Sequence, residues 1–381
     1  DLPNSEMNKL DVNAPGTHVY ASGMGGTSRF DVQPNGNIVP TNKKDLPRTV
    51  QIKCLKSTPE VVVMQEASSN HMLGFDEGLN QISNQNGGTF EDGEVKQEFK
   101  HFRHSLDDSY MLWRAGGPTM NILDNQSGKV DESIPEFWKY NGVVARPISA
   151  AASADANRVA GISVNPNTNE SLVHYYERQG QKTELLTRKE TEAIDPNCSS
   201  LNSMEVSSDG RVLFIGGTTL GGFGGSKSPT VYARSFDRSL APVDKMDMED
   251  KDIALPVVMK RFPGYEILAV GGYRHIVLLM FDGRFRKIGK IENVHSDYTA
   301  DMALKNNAIY SKGIKESDVK VIKFGMPPPP LIKGDRVPKS KENREMAVDN
   351  PNTYFASPTI TKFDLPNSEM NKLDVNAPGT H

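Results

Sequence analysis

The segment ILAVGGYRHIVLLMFDG, residues 267–283, carries the pattern that decides the fold. Two apolar runs of strand length flank a glycine pair at 271–272, and the second run ends on an aromatic residue and an acid, Phe281-Asp282. A glycine pair permits a tight turn because glycine adopts positive φ angles readily. The following Asp282-Gly283 dipeptide is a frequent hairpin signal. The segment therefore predicts a strand, a glycine turn, a second strand and a hairpin turn in succession.

The same succession recurs along the chain. An apolar stretch that ends in a large, mostly aromatic residue, usually followed by an acid, occurs at Phe30-Asp31, Phe75-Asp76, Leu123-Asp124, Tyr176-Glu177, Phe236-Asp237, Phe281-Asp282 and Phe324. Neighbouring members lie 43 to 60 residues apart, and glycine pairs end several of the preceding apolar runs, at 25–26, 116–117, 216–217 and 271–272. A period of about 40–50 residues with strand-like content is typical of a β-propeller, whose blades are four-stranded antiparallel sheets. The sequence thus predicts an all-β fold, a seven-bladed β-propeller with a proline-rich C-terminal tail.

These motifs make the chain resemble the kelch and WD40 propeller families over residues 19–325. The glycine pair after an apolar strand, in VLFIGG (212–217) and ILAVGG (267–272), is similar to kelch repeats. The tyrosine and tryptophan that kelch repeats carry later in the blade are not in place, and the chain contains no Trp-Asp dipeptide, the WD40 hallmark. The resemblance implies a divergent propeller and transfers no functional residue. A pair of β-sandwiches, in which the spacing is coincidental, is the alternative fold.

The chain begins and ends on the same peptide, DLPNSEMNKLDVNAPGTH, at residues 1–18 and 364–381. We interpret residues 1–18 as a terminal peptide, residues 19–325 as the propeller and residues 326–352 as a proline-rich, charged linker. Residues 353–381 are then a tail that closes the ring or docks on a neighbouring copy. The first and last repeat units look short, so we expect them to complete each other and to remove an open sheet edge.

Composition limits the classes of function. The formal net charge of −4 creates no overall field toward nucleic acid or acidic membranes. No apolar run approaches the roughly 20 residues that cross a bilayer. The two cysteines, Cys54 and Cys198, are too few for a disulfide-stapled secreted scaffold and favour a reducing compartment. We therefore expect an intracellular, cytoplasmic protein that has no membrane span and binds no nucleic acid.

No residue pattern predicts catalysis, a cofactor or a metal. The densest ionisable cluster, HFRHSLDD at 101–108, lacks helical context and a third placed ligand, so we interpret it as a loop or strand edge. The glycine-rich stretch GGTTLGGFGGSKS at 216–228 departs from a phosphate-binding loop because a serine separates glycine from lysine and a strand follows. Trp113 and Trp138 are interpreted as packing residues rather than ligand platforms.

The candidate functional site is a surface at one end of the ring. The loops that follow the glycine-pair strands would gather on one face and offer Met24, Phe223, Lys227, Tyr273 and Arg274. Aromatic and arginine side chains are the usual energetic anchors of interfaces. We predict a non-enzymatic protein-interaction scaffold that binds a protein partner or its own tail peptide and forms homo-oligomers through the tail. The alternatives are a propeller enzyme or small-ligand binder with its site at the channel mouth, and one structural unit of a tandem-repeat protein.

Overall fold

The computed structural model of the chain describes residues 9–23, 26–44, 49–55, 61–66, 72–85, 102–104, 110–114, 118–124, 130–168, 170–179, 182–220, 227–248, 258–262, 264–305, 308–314, 316, 318–324, 359–364 and 375–376. Within these ranges nearly all regular structure is β-strand, and the only helix has four residues. The all-β class predicted from the sequence is confirmed.

The strands form seven sheets of four or five strands and one separate hairpin. Sheet 1 consists of β1 (Lys9–Val12), β2 (His18–Gly23), β3 (Gly26–Val32) and β4 (Ile38–Lys44). Sheet 2 consists of β5 (Thr49–Cys54), β6 (Val61–Glu66), β7 (Met72–Asp76) and β8 (Gln81–Gln85). Sheet 3 consists of β9 (Phe102–His104), β10 (Tyr110–Arg114), β11 (Met120–Asp124) and β12 (Val130–Ile134). The hairpin of β13 (Lys139–Tyr140) and β14 (Val143–Val144) follows.

The second half of the chain continues the pattern. Sheet 4 consists of β15 (Arg146–Ala152), β16 (Arg158–Val164), β17 (Ser171–Gln179) and β18 (Lys182–Glu190), and the helix α1 (Thr191–Ile194) comes next. Sheet 5 consists of β19 (Cys198–Val206), β20 (Val212–Leu220), β21 (Lys227–Ser235) and β22 (Pro242–Asp247). Sheet 6 consists of β23 (Val258–Arg261), β24 (Ile267–Gly271), β25 (Ile276–Phe281) and β26 (Phe285–Ile291). Sheet 7 consists of β27 (Thr299–Lys305), β28 (Ala308–Gly313), β29 (Asp318–Lys323), β30 (Thr359–Asp364) and β31 (Val375–Asn376).

The sheets form a ring through their first strands. β1 contacts β5, the contacts continue in order through β9, β15, β19 and β23 to β27, and β27 contacts β1 again. Neighbouring strands are antiparallel and follow sequence order within each sheet. The second strand of each sheet therefore ends, and the third begins, on one face of the ring, where the fourth strand also ends and the first strand of the next sheet begins. We call this face the upper face and the opposite one the lower face.

The aromatic-acid pattern marks the same place in every sheet. Each member lies in the third strand of its sheet or directly after it, and each large side chain is at most 7% exposed: Phe30, Phe75, Leu123, Tyr176, Phe236, Phe281 and Phe324. The large side chain fills the interior and stabilises the sheet by removing apolar surface from water. In sheets 2 and 6 the acid that follows, Asp76 or Asp282, lies at the end of the third strand or in the turn toward the fourth. The repeated motif in the sequence therefore marks one buried packing position in each sheet.

The ring closes by packing between sheets 1 and 7. Leu10 and Phe30 of sheet 1 lie in one buried cluster with Tyr310 and Val321 of sheet 7. Sheet 1 has all four of its strands from residues 9–44, so the expectation that the first and last units complete each other is wrong. β1 lies inside the repeated terminal peptide, ahead of the domain boundary predicted at residue 19. Its four residues gave no strand signal of their own.

One glycine pair has a different role from the predicted turn. The pair at 216–217 lies inside β20, whereas the pair at 271–272 lies at the end of β24 as expected. A Cβ atom on Gly217 would lie 2.4 Å from the carbonyl oxygen of Ser200, and the pairing of β19 with β20 shifts register nearby. Gly217 therefore permits a close backbone approach beside a β-bulge.

The lower-face turns of sheets 5 and 6 enclose a carboxylate. Glu266, just before β24, accepts hydrogen bonds from the amide of Ser208 at 2.6 Å and from the Ser208 hydroxyl. Arg261 on β23 donates to the carbonyl oxygen of Val206 at 3.0 Å, which ties the two sheets together. Burial raises the pKa of Glu266 to about 7, although the charge of Arg261 opposes the shift.

Replacing Glu266 with glutamine is expected to stabilise the protein at pH 8 by on the order of 2 kcal/mol and to change little at pH 4.5. A glutamate in the unfolded chain ionises near pH 4.5, before Glu266 in the folded protein, so stability falls as pH rises from 4.5 to 7. Glutamine keeps the acceptor oxygen and does not ionise. Urea unfolding at both pH values measures the difference. Glu77→Gln, at an exposed turn of sheet 2, is the control, and an equal effect of Glu266→Gln at both pH values contradicts the prediction.

Candidate functional site

Two of the five predicted site residues lie together on the upper face. Tyr273 and Arg274 occupy the loop between β24 and β25. Tyr273 forms an isolated antiparallel bridge with Tyr298 of the connection between sheets 6 and 7, and the ring centroids are 5.2 Å apart. The guanidinium carbon of Arg274 lies 5.1 Å from the centroid of the Tyr273 ring, within cation–π range. We call these three residues, Tyr273, Arg274 and Tyr298, the Tyr-Arg surface.

The other predicted site residues do not join this cluster in the described part of the chain. Met24 and Phe223 lie outside the described residues, and Lys227 begins β21, where only its backbone is described. Tyr298 was missed because it follows no glycine pair. Its contact with Tyr273 depends on how sheet 7 packs against sheet 6, and no local motif signals that packing.

Backbone hydrogen bonds fix the conformation of the Tyr-Arg surface. The amide of Arg274 donates to the carbonyl oxygen of Asp297 at 2.9 Å, and the amide of Val294 donates to the carbonyl oxygen of Arg274 at 2.7 Å. The amide of Thr299 donates to the carbonyl oxygen of Gly272 at 3.0 Å. Arg274 has a φ of 63°, a value that side-chain-bearing residues seldom adopt, and its side chain is exposed. The loop is therefore held in one conformation that presents an arginine to solvent.

A buried hydrogen-bond network anchors the connection that carries Tyr298. The carboxylate of Glu316 accepts a hydrogen bond from Nδ1 of His295 at 2.5 Å and one from the amide of Ser296 at 2.6 Å. Nε2 of His295 lies 2.7 Å from Oγ of Ser311 on β28. Nζ of Lys320 on β29 lies 3.3 Å from the Glu316 carboxylate. We call His295, Ser311, Glu316 and Lys320 the anchor network.

The charge of Glu316 is stabilised by its neighbours. Burial by itself would raise the pKa of Glu316, but the hydrogen bond and charge of His295, the Ser296 amide and the charge of Lys320 outweigh it and lower the pKa to about 2. The carboxylate therefore stays ionised at every pH at which most proteins are folded. It can then hold the His295 ring and the adjoining connection in place.

The order of groups in the anchor network matches that of a catalytic serine triad. However, Ser311 is 0% exposed, so its hydroxyl cannot reach a substrate. A similar pair occurs in sheet 4, where Oγ of Ser163 lies 2.6 Å from Nε2 of His174 and both residues are 0% exposed. Recurrence of a buried serine–histidine pair in a second sheet favours a role in holding strands and loops together. Sequence reasoning did not find either pair, because the partners are 11 and 16 residues apart and share no motif.

Other kinds of site find little support in the described ranges. No group of three or more histidine, cysteine, aspartate or glutamate residues there is placed to hold a metal ion. Of the predicted cluster at 101–108, only residues 102–104 are described. No helix in the described part is long and apolar enough to cross a membrane. Cys54 and Cys198 are both buried, and burial raises the pKa of the Cys198 thiol, which makes it a poor nucleophile.

Comparison with known proteins gives a fold and no family. No protein-family profile matches the sequence, and no curated protein matches it. A chain in the crystal structure of the Mitotic Checkpoint Complex is similar, with a TM-score of 0.56 and 11% identity over 82% of this chain and 87% of that chain. Hsv2 of Kluyvelomyces marxianus has a TM-score of 0.51 and 10% identity over 85% of this chain and 94% of that chain. Both are propeller folds. This chain is a β-propeller.

The propeller fold that the resemblance implied is confirmed. At identities of 10% and 11% the likeness concerns the path of the backbone alone. The kelch-like character, the scaffold role and the site residues stay predictions.

Proposed function

We propose that this propeller is a non-enzymatic scaffold that binds a partner protein at the Tyr-Arg surface. The observation that carries the proposal is the stacking of Arg274 on Tyr273 beside Tyr298, in a loop fixed by backbone hydrogen bonds. Tyrosine and arginine are among the residues enriched in the energetic anchors of interfaces. A loop held in one conformation loses little freedom on binding, so more of the contact energy contributes to affinity.

The chemistry of the Tyr-Arg surface indicates the kind of partner. Arg274 supplies an exposed cation with a planar set of hydrogen-bond donors, which suits a carboxylate. The partly exposed rings of Tyr273 and Tyr298 supply apolar area beside it. The partner that fits is a protein segment that places an aspartate or glutamate next to an apolar or aromatic side chain.

The tail has a structural role in this proposal. It completes sheet 7, the last sheet of its own ring, and so takes part in closing the ring; docking on a neighbouring copy is the alternative. Support comes from β30, which pairs with β29 over six residue pairs and so covers an edge of sheet 7. An uncovered edge strand is a site of unwanted association.

Replacing Arg274 with alanine is expected to weaken partner binding at least tenfold while leaving the fold intact. Alanine is no more strained than arginine at this φ, so the loop keeps its conformation. Affinity capture with quantitative mass spectrometry identifies partners of the unaltered chain, and titration of an identified partner measures the affinity. Arg284→Ala is the matched control, because Arg284 is an exposed arginine on the lower face of the same sheet. If Arg274→Ala and Arg284→Ala retain the same partners with equal affinity, the Tyr-Arg surface is not the binding site.

There are two alternative functions. The first is a propeller enzyme or small-ligand binder, and the second is one structural unit of a tandem-repeat protein. A small molecule bound at the channel mouth would favour the first. The two copies of the terminal peptide begin 363 residues apart, and further copies of a unit of that length in the gene would favour the second.

A further inference from the structure

The first copy of the repeated peptide builds the innermost strand of sheet 1. KLDV at 9–12 is β1, and its turn leads into β2. Leu10 is 2% exposed, in the core shared with sheet 7. The carboxylate of Asp11 accepts hydrogen bonds from the Cys54 amide at 2.8 Å and from Nζ of Lys53 at 3.2 Å, both on sheet 2. The first copy of the peptide is therefore held in place by contacts with β2, with sheet 2 and with sheet 7.

The second copy comes directly after β30 in the chain. The first strand of a sheet likewise comes after the last strand of the preceding sheet. Its KLDV, residues 372–375, begins after a connection of seven residues, 365–371, counted from the end of β30. Two established connections between neighbouring sheets, 191–197 and 292–298, have the same length. β30 is also the fourth strand of sheet 7, and sheet 7 neighbours sheet 1. The second copy thus has the position in the chain and the connection length required to enter sheet 1.

The first copy fills the innermost position of sheet 1, where β1 pairs with β2 through four residues. Beyond β30, the structure describes two residues of the second copy, Val375–Asn376. They form β31, which pairs with Ile360 and Thr361 on the outer side of β30. The described residues of the second copy therefore lie at the outer edge of sheet 7, while the first copy occupies the innermost position of sheet 1.

We propose that the second copy is a spare first strand, and that residues 372–375 exchange with Lys9–Val12 in the innermost position of sheet 1 of the same ring. The side chains are identical, so the two occupants make the same contacts in the site. Attachment through seven residues gives the second copy a high effective concentration there. After exchange, the chain runs continuously from sheet 7 into sheet 1, and residues 1–12 become available outside the ring, while β2 stays in sheet 1. This inference rests on the closing role proposed for the tail.

Three variants of the full chain test the exchange. Leu10→Asp places a charge in the buried site and removes the first copy as an occupant, and Leu373→Asp does the same to the second copy. Thermal unfolding of each is compared with that of the double variant. We expect Leu373→Asp to change the melting temperature by less than about 2 °C, because the first copy still fills the site. We expect Leu10→Asp to lower it by a similarly small amount, because the spare strand replaces β1, and the double variant to lower it by roughly 5 °C or more.

Each of the following results would contradict the proposed exchange. A Leu10→Asp variant as unstable as the double variant overturns the proposal, because the second copy then fails to replace the first. A double variant as stable as the unaltered chain also overturns it, since neither copy is then needed in the site. Light scattering on Leu10→Asp should give the mass of one chain, and a dimer would overturn exchange within the same ring by placing the strand in a second copy. Partner binding by the unaltered chain at the Tyr-Arg surface is measured separately, so failure of the exchange leaves that test unaffected.

Discussion

Replacing Trp138 with alanine is expected to lower the free energy of unfolding by about 4 kcal/mol. Trp138 is 0% exposed and lies in a buried cluster that joins sheets 3 and 4. Its ring centroid is 4.4 Å from that of Phe137. A Cβ atom on Gly161 would lie 2.7 Å from the Trp138 ring, so the ring fits directly against the backbone of β16. Alanine would leave a cavity that the surrounding strands cannot fill, because hydrogen bonds to their neighbours hold them in place.

Urea unfolding followed by circular dichroism measures this loss without depending on tryptophan fluorescence. Lys139→Ala is the matched control, since Lys139 is the next residue and is only half-buried, with an ion pair to Glu136. Lys139→Ala should lower the free energy of unfolding by less than about 0.5 kcal/mol. A loss below about 1 kcal/mol for Trp138→Ala would show that the tryptophan does not fill the interior between sheets 3 and 4.

Replacing Glu316 with glutamine is expected to cost about 3 kcal/mol of stability at pH 7 and little near pH 2. Glutamine preserves the size of the side chain but removes the charge that His295 and Lys320 face. The pKa of Glu316 is lowered from 4.5 to about 2. Its contribution is therefore fully present above pH 4.5 and is lost as pH falls toward 2, where the unaltered carboxyl is also neutral.

Urea unfolding of Glu316→Gln and of the unaltered chain at several pH values between 7 and 2 measures this dependence. Glu292→Gln is the matched control, because Glu292 is an exposed glutamate at the start of the same connection. It should behave like the unaltered chain at each pH. A loss for Glu316→Gln that is the same at all pH values would assign the role of Glu316 to shape rather than charge. In that case the anchor network would not depend on ionisation.

The sequence predicted the repeated sheets because each sheet has one buried packing position at the same place. Phe75 and Phe281 occupy equivalent places in sheets 2 and 6, and each is followed by an acid at the turn. A buried aromatic before a polar turn is a local requirement of every blade, so it recurs in the sequence with the spacing of the blades. Trp138, which lies outside this repeated position, was also predicted to be a packing residue, and it is buried.

Two of the three residues of the Tyr-Arg surface could be predicted. Tyr273 and Arg274 follow a glycine pair at the end of β24, and that local turn signal placed them on a loop. Tyr298 belongs to a connection with no such signal. Its place beside Tyr273 is fixed by Glu316, which holds the connection through His295 across 21 residues of sequence. Contacts of this kind arise only when two sheets pack together.

By itself the sequence determined the all-β class, the repeated sheet and the duplicated peptide, because each is a pattern of side chains along a single strand or turn. Only the tertiary structure decided that KLDV at 9–12 is a strand. Those four residues are too few and too polar to indicate one, and they become β1 through hydrogen bonds to β2 and burial between sheets 2 and 7. The tertiary structure likewise decided which loops meet on the upper face, because strand direction in a closed ring, and not local sequence, brings their side chains together.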